Sequence, residues 1–187
     1  MNHNLKKLKI AQVGVGNFGA YRRARLRETG LFELVATFDL DGAAMAAAQN
    51  EDGATPTASY EELIQTPDIE AVVVATGAKF HAEHAVAAME QGLHVFIEKP
   101  LCATPQELEM LLAAHRKNDV IVGVGHIDHK YDPVALATRN LVKSGELGTI
   151  AAFEHTTAHR GGFDIRPGDW RGDELKNPGG MLPALLL

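Results

Sequence analysis

The chain has a single cysteine, Cys102, among 187 residues. An internal disulfide is therefore excluded, and this thiol usage fits a reducing compartment such as the cytoplasm. No stretch is long and apolar enough to span a bilayer. The first residues, Met1 to Lys7, lack the apolar core of a secretory signal. Positive charge is in short supply: the formal net charge is −6, which argues against nucleic acid as the main partner. Arg22, Arg23, Arg25 and Arg27 do cluster, but on one expected helix, where a solvated face is the expected role. Repeats and low-complexity tracts are absent. So are clustered thiolates, and no metal site is expected; His126, Asp128 and His129 are read as a chance grouping. Cys102 is read as a small packing residue. What remains is an ordinary globular composition, 45% hydrophobic and 22% charged, long enough for one good-sized domain and part of another.

The informative stretch is at the start. An apolar run from Leu8 to Val15 reads as a buried parallel strand. Gly14, Gly16 and Gly19 follow in G-x-G-x-x-G spacing, with Asn17 and Phe18 between them, and a helix is expected from Phe18 to about Glu28. In this arrangement the first glycine permits a tight turn and the second lets backbone approach a pyrophosphate. The third lets helix and strand pack closely. The helix N-terminus offers free N–H groups to phosphate. A second strand, Phe32 to Phe38, ends in Asp39, twenty positions after Gly19. A carboxylate there accepts hydrogen bonds from the adenosine ribose. Leu40 and Asp41 follow it rather than a cation, so the expected cofactor is NAD in preference to NADP.

Further along, helices and strands alternate. Helices are expected from Gly42 to about Asn50, Tyr60 to Gln65, Lys79 to Gln91, Pro105 to Lys117 and Pro133 to Lys143. Ser59 and Thr104 stand at N-cap positions, with Glu62 three residues beyond Ser59 as in a capping box. Strands are expected at Ala71–Thr76, His94–Lys99, Ile121–Gly125 and Thr149–His155, and Glu51–Pro56 as a loop. This alternation implies an α/β fold, a doubly wound parallel sheet of the Rossmann type. The expected organisation is a dinucleotide-binding domain over 1–126 and the start of a second α/β domain with an open sheet over 127–187.

Ligands of open parallel sheets bind beyond the carboxyl ends of the strands. The ends here are Gly14–Gly19, Asp39, Ala75-Thr76 and Glu98-Lys99-Pro100. A lysine ending an apolar strand is either partly desolvated and suited to proton transfer, or exposed and paired with Glu98. Pro100 fixes the chain direction, a cis bond being one route.

Gly14-Val15-Gly16-Asn17-Phe18-Gly19, Asp39, Ala75-Thr76 with His81 downstream, and Glu98-Lys99-Pro100 together resemble the Gfo/Idh/MocA oxidoreductase family. Gly125-His126, the Gly145-Glu146-Leu147-Gly148 turn, Trp170-Arg171 and Pro178-Gly179-Gly180 extend the resemblance over nearly the whole chain. A biliverdin or dihydrodipicolinate reductase relative shares the glycine motif but accounts less well for the Glu-Lys-Pro triplet. The resemblance implies hydride transfer between a nicotinamide cofactor and a hydroxyl of a sugar, sugar nucleotide or cyclitol. Lys99 is the implied catalytic residue, hydrogen-bonding the reacting oxygen, and Glu98 lies at the nicotinamide end. Thr76 and His81 line the cofactor cleft, and His126, Trp170 and Arg171 face the substrate. Full-length relatives are implied to be homo-oligomers. The family usually carries an Asp after the Gly-Gly element and a catalytic His four residues later. Here Ala184 stands at the Asp position, and Leu187 falls one residue short of the His. The implied outcome is a second domain cut short, with turnover impaired. The alternative is a non-catalytic dinucleotide-binding module or degenerate fragment.

Overall fold

Short apolar runs form strands that need cover on both faces, and here they assemble into one sheet. The computed structural model describes residues 6–126, 132–154, 156, 165–169 and 172–173. The strands are β1 (Leu8–Val13), β2 (Phe32–Phe38), β3 (Thr55–Pro56), β4 (Ala71–Val74), β5 (His94–Ile97) and β6 (Val122–Val124). Every pairing is parallel, and the order is β3-β2-β1-β4-β5-β6. The helices are α1 (Asn17–Thr29), α2 (Gly42–Asp52), α3 (Tyr60–Ile64), α4 (His81–Glu90), α5 (Pro105–Lys117) and α6 (Pro133–Ser144). A single 3₁₀ turn, Ala78–Phe80, leads into α4.

Local chemistry sets the helix starts. Asp41, Ser59, Thr104 and Asp132 each accept a backbone N–H from the first turn of α2, α3, α5 and α6. At α5 the capping box is complete, with Pro105 at the first helical position. At α3 the return bond shifts by one residue: Glu62 accepts from Ala58 N at 2.8 Å.

One face of the sheet presents Ala11, Val13, Val72, Val74, Val95 and Ile97. These join Leu63 of α3, Ala82, Ala85 and Met89 of α4, and Leu111 and Ala114 of α5 in the main core. Each large side chain buried there contributes roughly 1.5–3 kcal/mol. The alanines of α4 let that helix lie close on β4 and β5. The opposite face meets α1, where Gln12 and Phe96 both touch its residues.

Three expectations give way. Glu51–Pro56 is not all loop: α2 runs to Asp52, and Thr55 and Pro56 pair with Ala36 and Thr37. Two residues on a sheet edge, one of them proline, are too few to show alternation. Residues 149–154 form no strand. A strand exists only by pairing, and among the described residues none lies alongside them. The arginines of α1 are only in part a solvated face. Arg23 is 3% exposed and pairs with Asp52 and Glu51 of α2, Arg27 also reaches Asp52, and Arg22 reaches Glu98. Arg25 and Arg27 do keep the expected exposure, Arg25 in an exposed pair with Glu28. α6 has no buried residue. Among the described residues no helix is long and apolar enough to cross a membrane.

Candidate functional site

The sheet order reverses between β1, which leads toward β2, and β4, which leads toward β5. Crevices form at such a point, beyond the carboxyl ends of the strands. The glycine loop fills this place. Gly14 has φ +80°, and a Cβ on it would lie 2.5 Å from the Ala75 carbonyl oxygen. A Cβ on Gly19 would lie 2.1 Å from the Gly14 carbonyl oxygen. Both glycines are thus required by the chain's own packing. Gly16 is different: a Cβ there would meet only Ala44 at 3.4 Å and Asp39 at 3.9 Å, ordinary contacts. The protein leaves room at Gly16, as a loop fitted to a closely approaching ligand does.

Gln12 holds the loop from beneath. It is fully buried, and its Nε2 donates to Gly14 O at 2.8 Å and to Gly19 O at 2.9 Å. α1 then begins at Gly16 with no side-chain cap and no acidic residue in its first turn. Asn17, at φ 44°, and Phe18, about half exposed, open the helix beside those N–H groups. An uncapped helix start on a glycine loop suits a phosphate.

Asp39 lies beside the loop. Its Oδ2 accepts from Val15 N at 2.8 Å and Gly16 N at 3.2 Å, and its Oδ1 accepts from Asp41 N at 3.0 Å. The carboxylate braces the turn while standing at the end of β2.

Across the crevice, β4 ends in Ala75-Thr76 and β5 in Glu98-Lys99-Pro100. The Lys99–Pro100 bond is cis. Lys99 is exposed and Glu98 is 4% exposed. The first sequence-based account of this pair fails, and the second holds for the exposure of Lys99 but not for its partner. The lysine is not desolvated in the crevice, and the partner of Glu98 is Arg22, whose Nε donates to Oε1 at 2.5 Å. Arginine outcompetes the neighbouring lysine because α1 lies across Phe96 and delivers the guanidinium 4.9 Å from that ring. Gly125 closes the other side of Glu98, since a Cβ there would lie 2.8 Å from Oε2.

His81 is 1% exposed and lies behind the strand ends. Its Nε2 is 2.9 Å from Thr76 O and its Nδ1 2.6 Å from Pro100 O. The ring therefore spans the ends of β4 and β5, and both nitrogens are engaged by backbone. Next on α4, His84 lies against Tyr60 with ring centroids 4.3 Å apart and the planes tilted by 45°, and its Nδ1 is 3.4 Å from Thr76 Oγ1. Burial, reinforced by the charge at His81, lowers the His84 pKa from 6.5 to about 4, against a smaller upward pull from Glu61. His126 follows β6, with its N–H on Val124 O at 2.8 Å. Trp170, Arg171 and Ala184, also Asp128 and His129, lie outside the described residues.

The fold thus brings Gly14, Gly16, Gly19, Asp39, Ala75, Thr76 and Glu98 to one crevice, and His81 beneath it. Gln12 and Arg22 escaped the sequence reading. A glutamine inside an apolar strand run was the available sign for the first, and an arginine one turn into the loop helix for the second.

A parallel sheet in this order, with its glycine loop at the reversal and a carboxylate ending β2, is a dinucleotide-binding domain of the Rossmann type. Residues 8–126 match the family model of the Gfo/Idh/MocA oxidoreductases, described as an oxidoreductase family with an NAD-binding Rossmann fold. The chain belongs to that family. It is 32% identical over 145 residues to inositol 2-dehydrogenase of Salmonella paratyphi B, covering 75% of this chain and 43% of that protein. It is 35% identical over 126 residues to 1,5-anhydro-D-fructose reductase of Ensifer adhaerens, covering 66% of this chain and 37% of that one. The crystal structure of myo-inositol 2-dehydrogenase from Lactobacillus plantarum superposes with a TM-score of 0.72 at 30% identity, over 78% of this chain and 43% of the other. The chain spans less than half the length of these relatives.

Proposed function

We propose that the chain is the cofactor-binding part of an NAD-dependent dehydrogenase acting on a hydroxyl of a sugar, sugar nucleotide or cyclitol. The observation that carries this reading is the meeting of the glycine loop and Glu98-Lys99-Pro100 at one crevice. The free space at Gly16 and the uncapped start of α1 fit a pyrophosphate. Asp39 accepts from the adenosine ribose and sets the preference for NAD over NADP, because a 2′-phosphate would meet its carboxylate and that of Asp41. When bound, the nicotinamide supplies the hydride acceptor. Lys99, exposed at the end of β5, donates a hydrogen bond to the reacting oxygen and assists its proton transfer. Glu98 orients that strand end, and His126 stands on the substrate side. Residues 1–126 form the cofactor domain and 127–187 begin the substrate domain. The relatives named for inositol and anhydrofructose support the substrate class.

The test is a thermal melt of the chain with NADH and with NADPH, followed by NAD reduction on a panel of cyclitols and sugars. A ligand bound only by the folded state adds about 2.7 kcal/mol of stability at a hundredfold excess over Kd. The expected result is a larger shift with NADH. No shift with either nucleotide would reject the reading. Binding without turnover would leave a dinucleotide-binding module.

A further inference from the structure

Arg22 stands one turn into α1, just past the glycine loop. Its Nε donates to Glu98 Oε1 at 2.5 Å, and the two side chains are 13% and 5% exposed. The guanidinium lies 4.9 Å from the Phe96 ring centroid and 5.7 Å from that of Phe18. Phe96 belongs to β5, and Phe18 to the first turn of α1. The cation is therefore held between the start of the loop helix and the strand that delivers Glu98-Lys99. Gly125 closes the far side of the carboxylate. Glu98 has almost no access to water, so its orientation follows from these two neighbours.

We propose that Arg22 is a positioning residue for the nicotinamide half of the dinucleotide site. The ion pair ties α1 to the end of β5. It holds the carboxylate inward, and with it the backbone at the end of β5 that carries the exposed Lys99. This rests on the dinucleotide reading above. The role follows from burial: a carboxylate stripped of its cation either turns toward water or takes up a proton, and both rearrange the strand end. Lysine could supply the charge but not the planar fork that lies on Phe96 while donating through Nε. The adenosine half does not depend on the pair, because Asp39 and the Gly14–Gly19 loop are held by backbone bonds and by Gln12.

The experiment measures the affinities of the full chain for NADH and for ADP-ribose, which shares the adenosine and pyrophosphate but lacks the nicotinamide. The variants are Arg22→Met, Arg22→Lys and the double variant Arg22→Met/Glu98→Gln. Arg22→Met is expected to weaken NADH roughly tenfold, the effect of one lost hydrogen bond to a charged group, and to leave ADP-ribose unchanged. Arg22→Lys recovers part of that loss. In the double variant the melting temperature lost in Arg22→Met returns, since no charge is stranded, while the NADH deficit persists. Should Arg22→Met fail to fold, the lysine and double variants carry the same comparison. Equal losses for NADH and ADP-ribose would mean that Arg22 only supports α1, and would overturn the proposal. Unchanged NADH affinity in every variant would overturn it as well. A parent chain that binds neither ligand would instead remove the dinucleotide reading, and this proposal with it.

Discussion

The ends of β1 and β2 and the ends of β4 and β5 border the same crevice, yet they are stiffened differently. On the β1–β2 side the groups facing the crevice are mostly backbone. The loop keeps its shape through glycines 14 and 19, a buried glutamine beneath them and Asp39 beside them. On the β4–β5 side the work falls to buried side chains: Glu98 on Arg22, and His81 between Thr76 and Pro100. Backbone held against backbone cannot yield to an added methyl group, whereas ion pairs and rings can be exchanged one at a time. The first side should therefore fail abruptly on substitution, and the second by degrees.

Gly19→Ala tests the abrupt side most severely. The new Cβ would meet a carbonyl of the same loop, with no flexible side chain to move aside. The expected cost is about 3 kcal/mol or more, with NADH affinity lost. Urea unfolding and an NADH titration check it. Near-native values for both would mean that the loop is pliable, and the contrast between the two sides would collapse.

Gln12→Leu keeps the volume and removes both donors. The Gly14 and Gly19 carbonyls then lose their bonds from the side chain, at an expected cost of about 2 kcal/mol. NADH affinity should fall with stability, because the same bonds shape the loop. If stability falls and affinity does not, Gln12 belongs to the core rather than to the loop.

Asp39→Ser separates bracing from selectivity. Serine still accepts a hydrogen bond, but the carboxylate charge is gone. NADH should weaken roughly tenfold while NADPH improves, so the preference narrows or inverts. Unaltered preference in paired titrations would move the determinant away from the end of β2.

How far these arrangements were legible in the sequence depended on distance along the chain. β2, the cap at Thr104 and the Gly145–Gly148 turn are written in consecutive residues, and each was readable there. The glycine loop was readable because its three positions span six residues of chain. Arg22 and Glu98 are 76 positions apart, and only the parallel order of β1, β4 and β5 brings them together. Read alone, Arg22 was one of four arginines on a helix, and Lys99 was the nearest cation to Glu98. His81 could be singled out in the sequence only through the family resemblance, as a residue expected to line the cofactor cleft. The 3₁₀ turn at Ala78–Phe80, which turns its ring behind the strands, was not legible. The edge strand Thr55–Pro56 and the irregular course of 149–154 show the same limit, since both depend on a partner strand rather than on local pattern.

The smallest effect expected is a pH dependence on the graded side. His84 sits half-buried between Tyr60 and Phe80, with Thr76 Oγ1 near its Nδ1. Its pKa falls from 6.5 to about 4 in the folded chain, by burial first and then by the charge at His81. The unfolded chain therefore binds the extra proton more readily between these values. The stability that His84 provides by remaining neutral is fully present above about pH 6.5, and it is lost as the pH falls toward 4. Melting temperatures across that window should decline in the parent chain and decline less in His84→Phe, which keeps a ring between Tyr60 and Phe80 but does not titrate. NADH affinity should follow the same trend through Thr76. ADP-ribose affinity should follow it less, because the β1–β2 side has no histidine among the groups that hold it. Identical slopes for parent and variant would assign the acid sensitivity to other groups and leave the two sides alike in this respect.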